Sequence, residues 1–299
     1  MSPKDAPPPL PEPLRAAVAD SHTHLDMQDG TVDEALTKAA AVGVTAVVQV
    51  GCDVKGSRWA AETAAAYDNV HAAVALHPNE APRIVLGDPG GTSQPPGAGG
   101  GGSRQGGRPA GGDAALDEAL TEIDRLAALP YVRGVGETGL DYFRTGPDGM
   151  AAQERSFRAH IEIAKRHGKA LVIHDREAHD DVLRVLDEEG APERTVFHCY
   201  SGDAAMAEIC ARKGYFMSFA GNVTFKNAQP LRDALAVAPL DLVLVETDAP
   251  FLTPAPYRGR PNAPYLIPVT VRAMAAVRGI GEDVLAAALA VNTARAFDY

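Results

Sequence analysis

Short runs of apolar and β-branched residues alternate with segments of helical periodicity along nearly the whole chain. Residues 45–50, Thr-Ala-Val-Val-Gln-Val, are typical of a strand that is buried on both faces. Between two later runs, Phe157, Ile161 and Ala164 recur at helical spacing. Seven further runs have strand character, at 18–20, 70–75, 132–137, 170–174, 195–198, 215–219 and 242–246.

Eight strands, each followed by a helix, predict an α/β fold in which parallel strands close into a (β/α)₈ TIM barrel. The 299 residues suit a single domain of this kind. A doubly wound open sheet is the alternative fold, because the spacing of strands does not reveal their order in the sheet.

Two segments lack both periodicities. Residues 1–14 are rich in proline and have no apolar stretch of the kind a signal peptide requires, so we expect a short disordered segment before a barrel domain spanning 15–299. Residues 87–112 are mainly Gly, Pro, Ser and Gln. Such a segment buries too little surface to offset its ordering entropy, which predicts a flexible low-complexity insertion after the third strand.

Composition limits the classes of function. A formal charge of −11 disfavours a broad surface that coats nucleic acid, but it permits an enzyme that holds a few nucleotides in one pocket. No apolar run is long enough to span a membrane. The three cysteines do not form a disulfide framework, so we expect a cytoplasmic protein. Nothing in the sequence indicates an obligate protein partner, and we expect a monomer.

Histidines and acidic residues lie at or just after the carboxyl ends of the predicted strands. In a parallel barrel these ends meet on one face, where active sites are built. Residues far apart in the chain therefore come together in one pocket. Those at the predicted strand ends are His22, His24, Glu137, His174, His198 and Asp248, and His77 follows the third strand.

Four imidazoles and two carboxylates are typical ligands of zinc, manganese or magnesium centres. A single four-coordinate ion does not need six protein ligands, whereas two divalent ions that share a carboxylate do. Glu137 is the central candidate for this bridge. Such a pair activates water and stabilises a leaving oxygen.

Other motifs have simpler explanations. Residues 134–139 match G-x-G-x-x-G, but a loop rather than a helix follows, and a glutamate inside the turn would repel phosphate. Cys199 next to His198 is not a nucleophile–base pair if both lie in a strand, because adjacent side chains then point to opposite faces. We expect structural or solvated roles for His71, His160 and His167. His179 lies close to His174 in the chain, which leaves its role open, and a surface role is favoured.

The motifs, taken in order, resemble those of the TatD family of metal-dependent deoxyribonucleases. The resemblance covers residue 18 to the end of the chain, apart from the insertion. The matching stretches are Asp20–Asp26, His77-Pro78, Gly136–Asp141, Ile173–Arg176, His198–Gly202, Glu246–Leu252 and Arg258–Pro264. Three features depart from the family pattern: Ala75 replaces a glycine, Pro261 stands where a basic residue is common, and the insertion is unusual.

This resemblance implies a barrel with two metal sites. One ion would be held by His22, His24, Glu137 and Asp248, and the other by Glu137, His174 and His198. It also implies a 3′-to-5′ exonuclease supported by Mg²⁺, with Mn²⁺ or Zn²⁺ as alternatives, that acts on DNA or short oligonucleotides, and a possible role in DNA repair.

For the reaction itself, we expect Asp248 to accept the proton of the attacking water and relay it to the leaving 3′-oxygen. Arg176 and Arg258 are candidates for phosphate contacts, because a guanidinium fork matches phosphate oxygens. Arg260 and Asn262 are secondary candidates. We expect His77 to hydrogen-bond substrate rather than metal.

Two alternative functions remain open. The first is an amidohydrolase-type enzyme acting on a small amide, lactone or phosphotriester, because the fold does not determine the substrate. Paired-metal members of that class often use a modified lysine as the bridge, and no lysine lies at the position of Glu137. The second is a non-catalytic scaffold in which the insertion recruits a partner.

Overall fold

The structure is a computed structural model that describes residues 6–87 and 111–299. Eight parallel strands form one sheet in which each strand pairs with the next along the chain. This order confirms the predicted barrel and excludes the doubly wound sheet. The strands are β1 Val18–Thr23, β2 Val44–Gly51, β3 Val70–Val74, β4 Val132–Asp141, β5 Ala170–Arg176, β6 Thr195–Phe197, β7 Phe216–Phe219 and β8 Val243–Val245.

Backbone hydrogen bonds between β1 and the segment after β8 close the barrel. The amide of Asp248 donates to the carbonyl of His22 at 2.9 Å, and the amide of His24 donates to the carbonyl of Ala249 at 2.9 Å. Thr23 and Ala249 form a parallel bridge between these contacts. The two ends of the chain are thereby joined where candidate ligands lie.

Helices surround the strands, and their ends follow local sequence signals. Thr31 and Glu34 form a capping box at the start of the first helix, and Gly168 ends the fifth in a left-handed conformation. None of the helices described is both long and apolar enough to cross a membrane. Their bounds are α1 Val32–Ala41, α2 Val54–Ala66, α3 Glu80–Leu86, α4 Gly112–Ala127, α5 Pro147–His167, α6 His179–Glu189, α7 Ala204–Lys213, α8 Gln229–Val237, α9 Ile267–Arg278 and α10 Glu282–Phe297.

The core consists of apolar side chains from the strands and from the inner faces of the helices. Val47, Val48 and Val50 of β2 are all buried, as the run of β-branched residues predicts. Phe157 and Ile161 of α5 pack into the same core. This close packing holds the strand ends, and the side chains they carry, in fixed positions.

Strand β4 extends further than its apolar pattern indicates. We expected Glu137 to end this strand, but β4 continues to Asp141, and Glu137 lies within it. The pairing with β5 is irregular between Val135 and Thr138. The sequence signal failed here because three of the four residues beyond Glu137 (Thr138, Gly139 and Asp141) are polar or glycine yet remain buried in the barrel.

The proline-rich lead-in is held against the barrel over the part that the structure describes. Leu14 is buried and its amide donates to the carbonyl of Val42. The side chains of Arg260, Tyr265 and Arg272 donate to backbone carbonyls of residues 6–13. The expectation of disorder is therefore wrong for residues 6–14, because these tertiary contacts have no local sequence signal. Residues 1–5 lie outside the described part.

Most of the predicted insertion, residues 88–110 of 87–112, also lies outside the described residues. Its flanks are in place as expected: Gly87 follows α3, and Gly112 begins α4. The amide of Gly111 donates to the carbonyl of Ile84, which brings the two flanks together.

Candidate metal centre

All seven histidines and acids that were placed at strand ends meet at the carboxyl-terminal mouth of the barrel. His22 lies in β1 and His24 follows it directly, while His174 lies in β5. The others are Glu137 within β4, His77 after β3, His198 after β6 and Asp248 after β8. Four overlapping groups of these side chains, one including Cys52, are close enough to hold a metal ion.

The first group combines β1 with the segment after β8. Nε2 of His22 and Nε2 of His24 are 3.3 Å apart. Oδ1 of Asp248 lies 3.8 Å from the first nitrogen and 3.5 Å from the second. Oε1 of Glu137 lies 3.9 Å and 3.6 Å from the same two nitrogens. These four atoms surround one small volume.

The second group lies on the other side of Glu137. Its Oε2 atom is 2.8 Å from Nε2 of His198 and 3.2 Å from Nδ1 of His174. The two histidine nitrogens are 3.4 Å apart. Each carboxylate oxygen of Glu137 therefore faces a different set of imidazoles, which is the arrangement of a bridging ligand.

The electrostatic surroundings keep Glu137 ionised. Burial by itself raises the pKa of this carboxyl, but the neighbouring His198 and His77 and hydrogen bonds from His174 and His198 outweigh it. The pKa of Glu137 is consequently well below its usual value. The carboxylates of Glu137 and Glu246 in turn raise the pKa of His198 against the opposing effect of its burial.

Three of the four candidate histidines are oriented by an oxygen acceptor behind the ring. Nδ1 of His24 donates to the carbonyl of Val50 at 3.0 Å. Nδ1 of His198 lies 3.3 Å from Glu246, and Nε2 of His174 lies 3.2 Å from Asp141. A proton held on each outer nitrogen leaves the lone pair of the inner nitrogen free, as metal-binding histidines require.

Asp141 and Glu246 contact candidate ligands and were not identified from the sequence. Glu246 ends the predicted run 242–246, so its position at a strand end was a usable signal. Asp141 had no such signal, because β4 continues four residues beyond its predicted end at Glu137. Glu246 also accepts from the amide of Cys199 at 2.9 Å. Hydrogen bonds from His174 and Asn79 lower the pKa of Asp141 against the opposing effect of burial.

A further buried network lies beneath the first group. Asp20 accepts from the amide and the hydroxyl of Thr247, and burial raises the pKa of its carboxyl to about 8. Asn262 donates to the carbonyls of Thr247 and Phe251. Both contacts hold the backbone on either side of Asp248.

The donor set fits divalent metal ions. Zinc bonds to nitrogen and oxygen ligands are about 2.0–2.2 Å long, which places two ligands of one tetrahedral ion about 3.3–3.6 Å apart. The separations of 3.3–3.9 Å among the first four atoms are close to this value. Nε2 of His22 and Nε2 of His24 face one another, and a cation between them would bind both nitrogens.

His77 differs from the other histidines in its hydrogen bonds. Its Nδ1 atom accepts from the amide of Asn79 at 3.0 Å, so the ring proton resides on Nε2. This Nε2–H lies 3.8 Å from Oε2 of Glu137 at the edge of the site. Burial lowers the pKa of His77 to about 3, and the neutral ring is thus a hydrogen-bond donor.

Two cysteines border the site. Cys52, directly after β2, donates to Oε1 of Glu137 at 3.3 Å and lies 3.8 Å from Nδ1 of His24. Cys52 is not among the residues predicted from the sequence, although it too follows a strand. Burial raises its pKa to about 12. His198 and Cys199 follow β6 and lie outside any strand, so strand alternation was the wrong reason to reject a nucleophile. Burial instead raises the pKa of the Cys199 thiol well above its usual value.

The predicted phosphate contacts fall into two classes. The guanidinium of Arg176 stacks on Phe143 and that of Arg258 stacks on Phe225, in both cases on loops or strand ends at the mouth. The structure does not bring Arg260 and Asn262 to the same position. Arg260 donates to the backbone carbonyls of residues 6 and 7, and the side-chain amide of Asn262 donates to two other backbone carbonyls.

The remaining histidines have structural contacts, in line with the sequence analysis. His160 is buried in α5, where Nδ1 donates to the carbonyl of Ser156 at 2.7 Å and Nε2 accepts from the amide of Leu76 at 3.0 Å. His71 stacks on Tyr299, His167 pairs with Asp124, and His179 pairs with Asp175.

Comparison with known proteins supports the same chemistry. A family model described as TatD related DNase matches residues 19–298. The protein named uncharacterized metal-dependent hydrolase TatD of Mycobacterium tuberculosis is 41% identical over 288 residues, covering 94% of this chain and 97% of that protein. The uncharacterized metal-dependent hydrolase YcfH of Escherichia coli K12 is 34% identical over 286 residues, covering 94% and 95%. The crystal structure of YJJV, a TatD homolog from E. coli K12, matches with a TM-score of 0.77 and 26% identity over 94% of this chain and 98% of that chain.

Proposed function

Because the chain belongs to the TatD family of metal-dependent hydrolases, we propose that it hydrolyses phosphodiester bonds in DNA with two divalent ions, Mg²⁺ in the first place. The products would be nucleotides released from the 3′ end. The observation that carries the proposal is the position of Glu137. One of its oxygens faces the His22–His24–Asp248 group and the other faces His174 and His198.

The groups around His22, His24 and Asp248 and around His174 and His198, which share Glu137, would hold the divalent ions, and the ions would supply Lewis-acid stabilisation of the phosphoryl group and lower the pKa of the attacking water. Asp248 is the proton acceptor for that water. Its side chain is 14% exposed against 5% for Glu137, so it reaches the open side of the site. The same carboxyl then returns the proton to the leaving 3′-oxygen.

His77 and the two arginines bind the substrate in this proposal. The Nε2–H of His77 is directed towards the site and is available to a phosphate oxygen. Arg176 and Arg258 form no side-chain hydrogen bond or ion pair with any residue in 6–87 or 111–299. Unpaired guanidinium groups at a site mouth favour a phosphodiester over a neutral amide or lactone.

The decisive experiment is cleavage of single-stranded DNA by metal-stripped protein. Strands labelled at the 3′ or the 5′ end are incubated with added Mg²⁺, Mn²⁺ or Zn²⁺. We expect restored digestion that first removes the 3′ label. Asp248→Asn, purified in parallel, controls for contaminating nucleases and should lose at least about 100-fold in rate.

A second variant tests the bridge. Glu137→Gln removes the charge shared by both groups, and we expect fewer than two bound ions per chain together with loss of digestion. Normal metal content and normal activity in this variant would remove the bridging role. Intact DNA with every ion, from wild-type protein of proven metal occupancy, would instead point to a hydrolase of small amides, lactones or phosphotriesters.

A further inference from the structure

Two arginines at the mouth of the barrel each lie over a phenylalanine ring. Cζ of Arg176 is 3.8 Å from the centroid of Phe143, and Cζ of Arg258 is 4.3 Å from that of Phe225. A guanidinium that stacks on a ring keeps its N–H edge free for other partners. We call these two assemblies the arginine–phenylalanine pairs.

The first pair is joined to the second group of candidate ligands. Arg176 ends β5, the strand that carries His174, and its carbonyl accepts from the amide of Tyr142 at 2.9 Å. Phe143 follows Tyr142 on the segment that begins at Asp141, the partner of His174. The pair is therefore connected to the backbone that positions His174.

The second pair lies on loops that contact the residue after His198. The hydroxyl of Thr224, next to Phe225, accepts from the amide of Ala255 at 2.8 Å, which ties this segment to the loop of Arg258. Nδ2 of Asn222 lies 4.0 Å from Sγ of Cys199, the residue after His198. These contacts connect the segment of Phe225 to the loop of Arg258 and to Cys199.

The barrel order sets the two pairs apart. One arises from β4 and β5, and the other from the loops after β7 and β8. Glu137 lies in β4, the strand that precedes Phe143, and Asp248 follows β8 in the same loop as Arg258. The two pairs are therefore next in the chain to different residues of the candidate metal centre.

The ring of Phe143 is exposed and that of Phe225 is half-buried. Phe143 is 56% exposed although Arg176 covers part of it, which makes it the most exposed aromatic side chain in the described ranges. Exposure of a phenyl ring to water is unfavourable, and a flat apolar partner that covers the ring removes this cost. Nucleobases provide such a surface, and single-stranded nucleic acids bind proteins by stacking on aromatic rings.

We propose that the two arginine–phenylalanine pairs hold an unpaired oligonucleotide on either side of the bond to be cleaved. In each pair the guanidinium binds a phosphate and the ring stacks with a base. This inference rests on the proposed function. The formal charge of −11 is consistent with it, because a strand repelled by most of the surface needs such local holding points. A base-paired strand would not reach the rings, since its bases are already stacked.

The test compares a normal oligonucleotide with one of the same length and sequence that lacks the bases next to the cleaved bond. Steady-state KM and kcat are measured for wild type, Phe143→Leu, Phe225→Leu and the double variant. We expect each substitution to raise KM for the normal strand about tenfold, with a smaller change in kcat. For the double variant, removal of the bases should have little further effect.

The matched control is Tyr299→Leu. Tyr299 is an exposed aromatic residue that stacks on His71 near the start of β3, at the opposite end of the barrel. It should retain the wild-type ratio of KM values for the two strands. Bis(p-nitrophenyl) phosphate, a phosphodiester without bases, measures the hydrolytic centre separately, and the ring variants should lose less on it than on DNA.

The outcomes separate the two proposals. Wild-type digestion of DNA with equal base dependence in wild type, ring variants and control would overturn the role of the rings while leaving the nuclease proposal in place. Failure of the wild type to digest any DNA would overturn the nuclease proposal, and the role of the rings with it. Loss of base dependence only in the ring variants supports both.

Discussion

At the scale of single residues, the candidate site depends on how protons are distributed around its imidazoles. Val50, Asp141 and Glu246 each hold the outer nitrogen of one histidine. Glu137 lies between the inner nitrogens and is ionised despite its burial. The direction of each lone pair is thus determined by a residue that is not itself a candidate ligand.

The role of Glu246 leads to a prediction on metal affinity. Glu246→Gln keeps an acceptor for Nδ1 of His198 but removes the charge that supports it. We expect the affinity for Mn²⁺ or Zn²⁺ to fall about tenfold at the group formed by Glu137, His174 and His198. Calorimetric titration of metal-free protein measures this change.

Glu208→Gln is the control for this prediction, because Glu208 is an exposed residue of α7. It should retain wild-type affinity. Equal affinities in both variants would show that the Glu246 carboxylate does not support His198.

At the scale of secondary structure elements, close contact between β4 and β5 sets the position of His174. Gly139 has a φ of +139°, and a Cβ atom there would lie 2.1 Å from the carbonyl oxygen of His174. Only glycine adopts this positive φ and also allows the close approach to His174 without displacing β5. The glycine is therefore part of the construction of the site.

We predict that Gly139→Ala destabilises the protein by at least about 2 kcal/mol and weakens metal binding, since the backbone at His174 must move. Urea unfolding and metal titration measure the two effects. Gly146→Ala is the matched control: it has a negative φ and no atom within 4 Å of the new Cβ. The free energy of unfolding of Gly146→Ala should be less than about 1 kcal/mol below that of the wild type. Similar losses in the two variants would contradict the steric argument.

A helix also positions the loop that carries His77. The buried ring of His160 in α5 accepts from the amide of Leu76, and burial lowers the pKa of His160 from 6.5 to about 4. Between these two pH values the unfolded chain binds a proton that the folded protein does not. Stability is therefore constant above pH 6.5 with respect to this group and falls as the pH drops towards 4.

The expected contribution of His160 to this loss is up to about 3 kcal/mol. Urea unfolding of metal-free wild type and His160→Gln at several pH values between 4 and 7 measures it. The variant should show a shallower dependence on pH, whatever its stability at neutral pH. Parallel curves for the two proteins would mean that His160 is not the group responsible.

At the scale of the whole molecule, the site joins the two ends of the chain. The amide hydrogen bonds between β1 and the segment after β8 bring His22 and His24 next to Asp248. The candidate ligands are spread from β1 to the segment after β8, so the unfolded chain does not assemble them. Metal binding and folding should consequently be coupled.

We predict that a divalent ion at about 100 times its Kd stabilises the folded protein by about 2.7 kcal/mol, which corresponds to a rise in Tm of roughly 5 °C. Thermal unfolding with EDTA and with added Mn²⁺ measures the shift. Glu137→Gln should show a clearly smaller shift. An identical shift in this variant would place the stabilising ion elsewhere.

The periodicity of the chain was sufficient to predict all eight strands and the barrel, because a parallel strand buried on both faces requires a run of apolar residues. The strand assignments also predicted that the candidate ligands lie together on one face of the barrel. They did not identify Asp141, since β4 continues past its apolar run. They also did not foresee the anchoring of residues 6–14, because those contacts come from Arg260, Tyr265 and Arg272, far away in the chain.

The sequence by itself therefore determined the fold class and the residue types at the mouth of the barrel, because both depend on local pattern and on which end of a strand a residue occupies. The tertiary structure alone decided which atoms face each other. Glu137 presents one carboxylate oxygen to each group of candidate ligands, and His174 directs Nδ1 towards Glu137. The guanidinium groups of Arg176 and Arg258 lie over phenylalanine rings. Such relations depend on side-chain direction and on contacts between distant segments, for which linear spacing carries no signal.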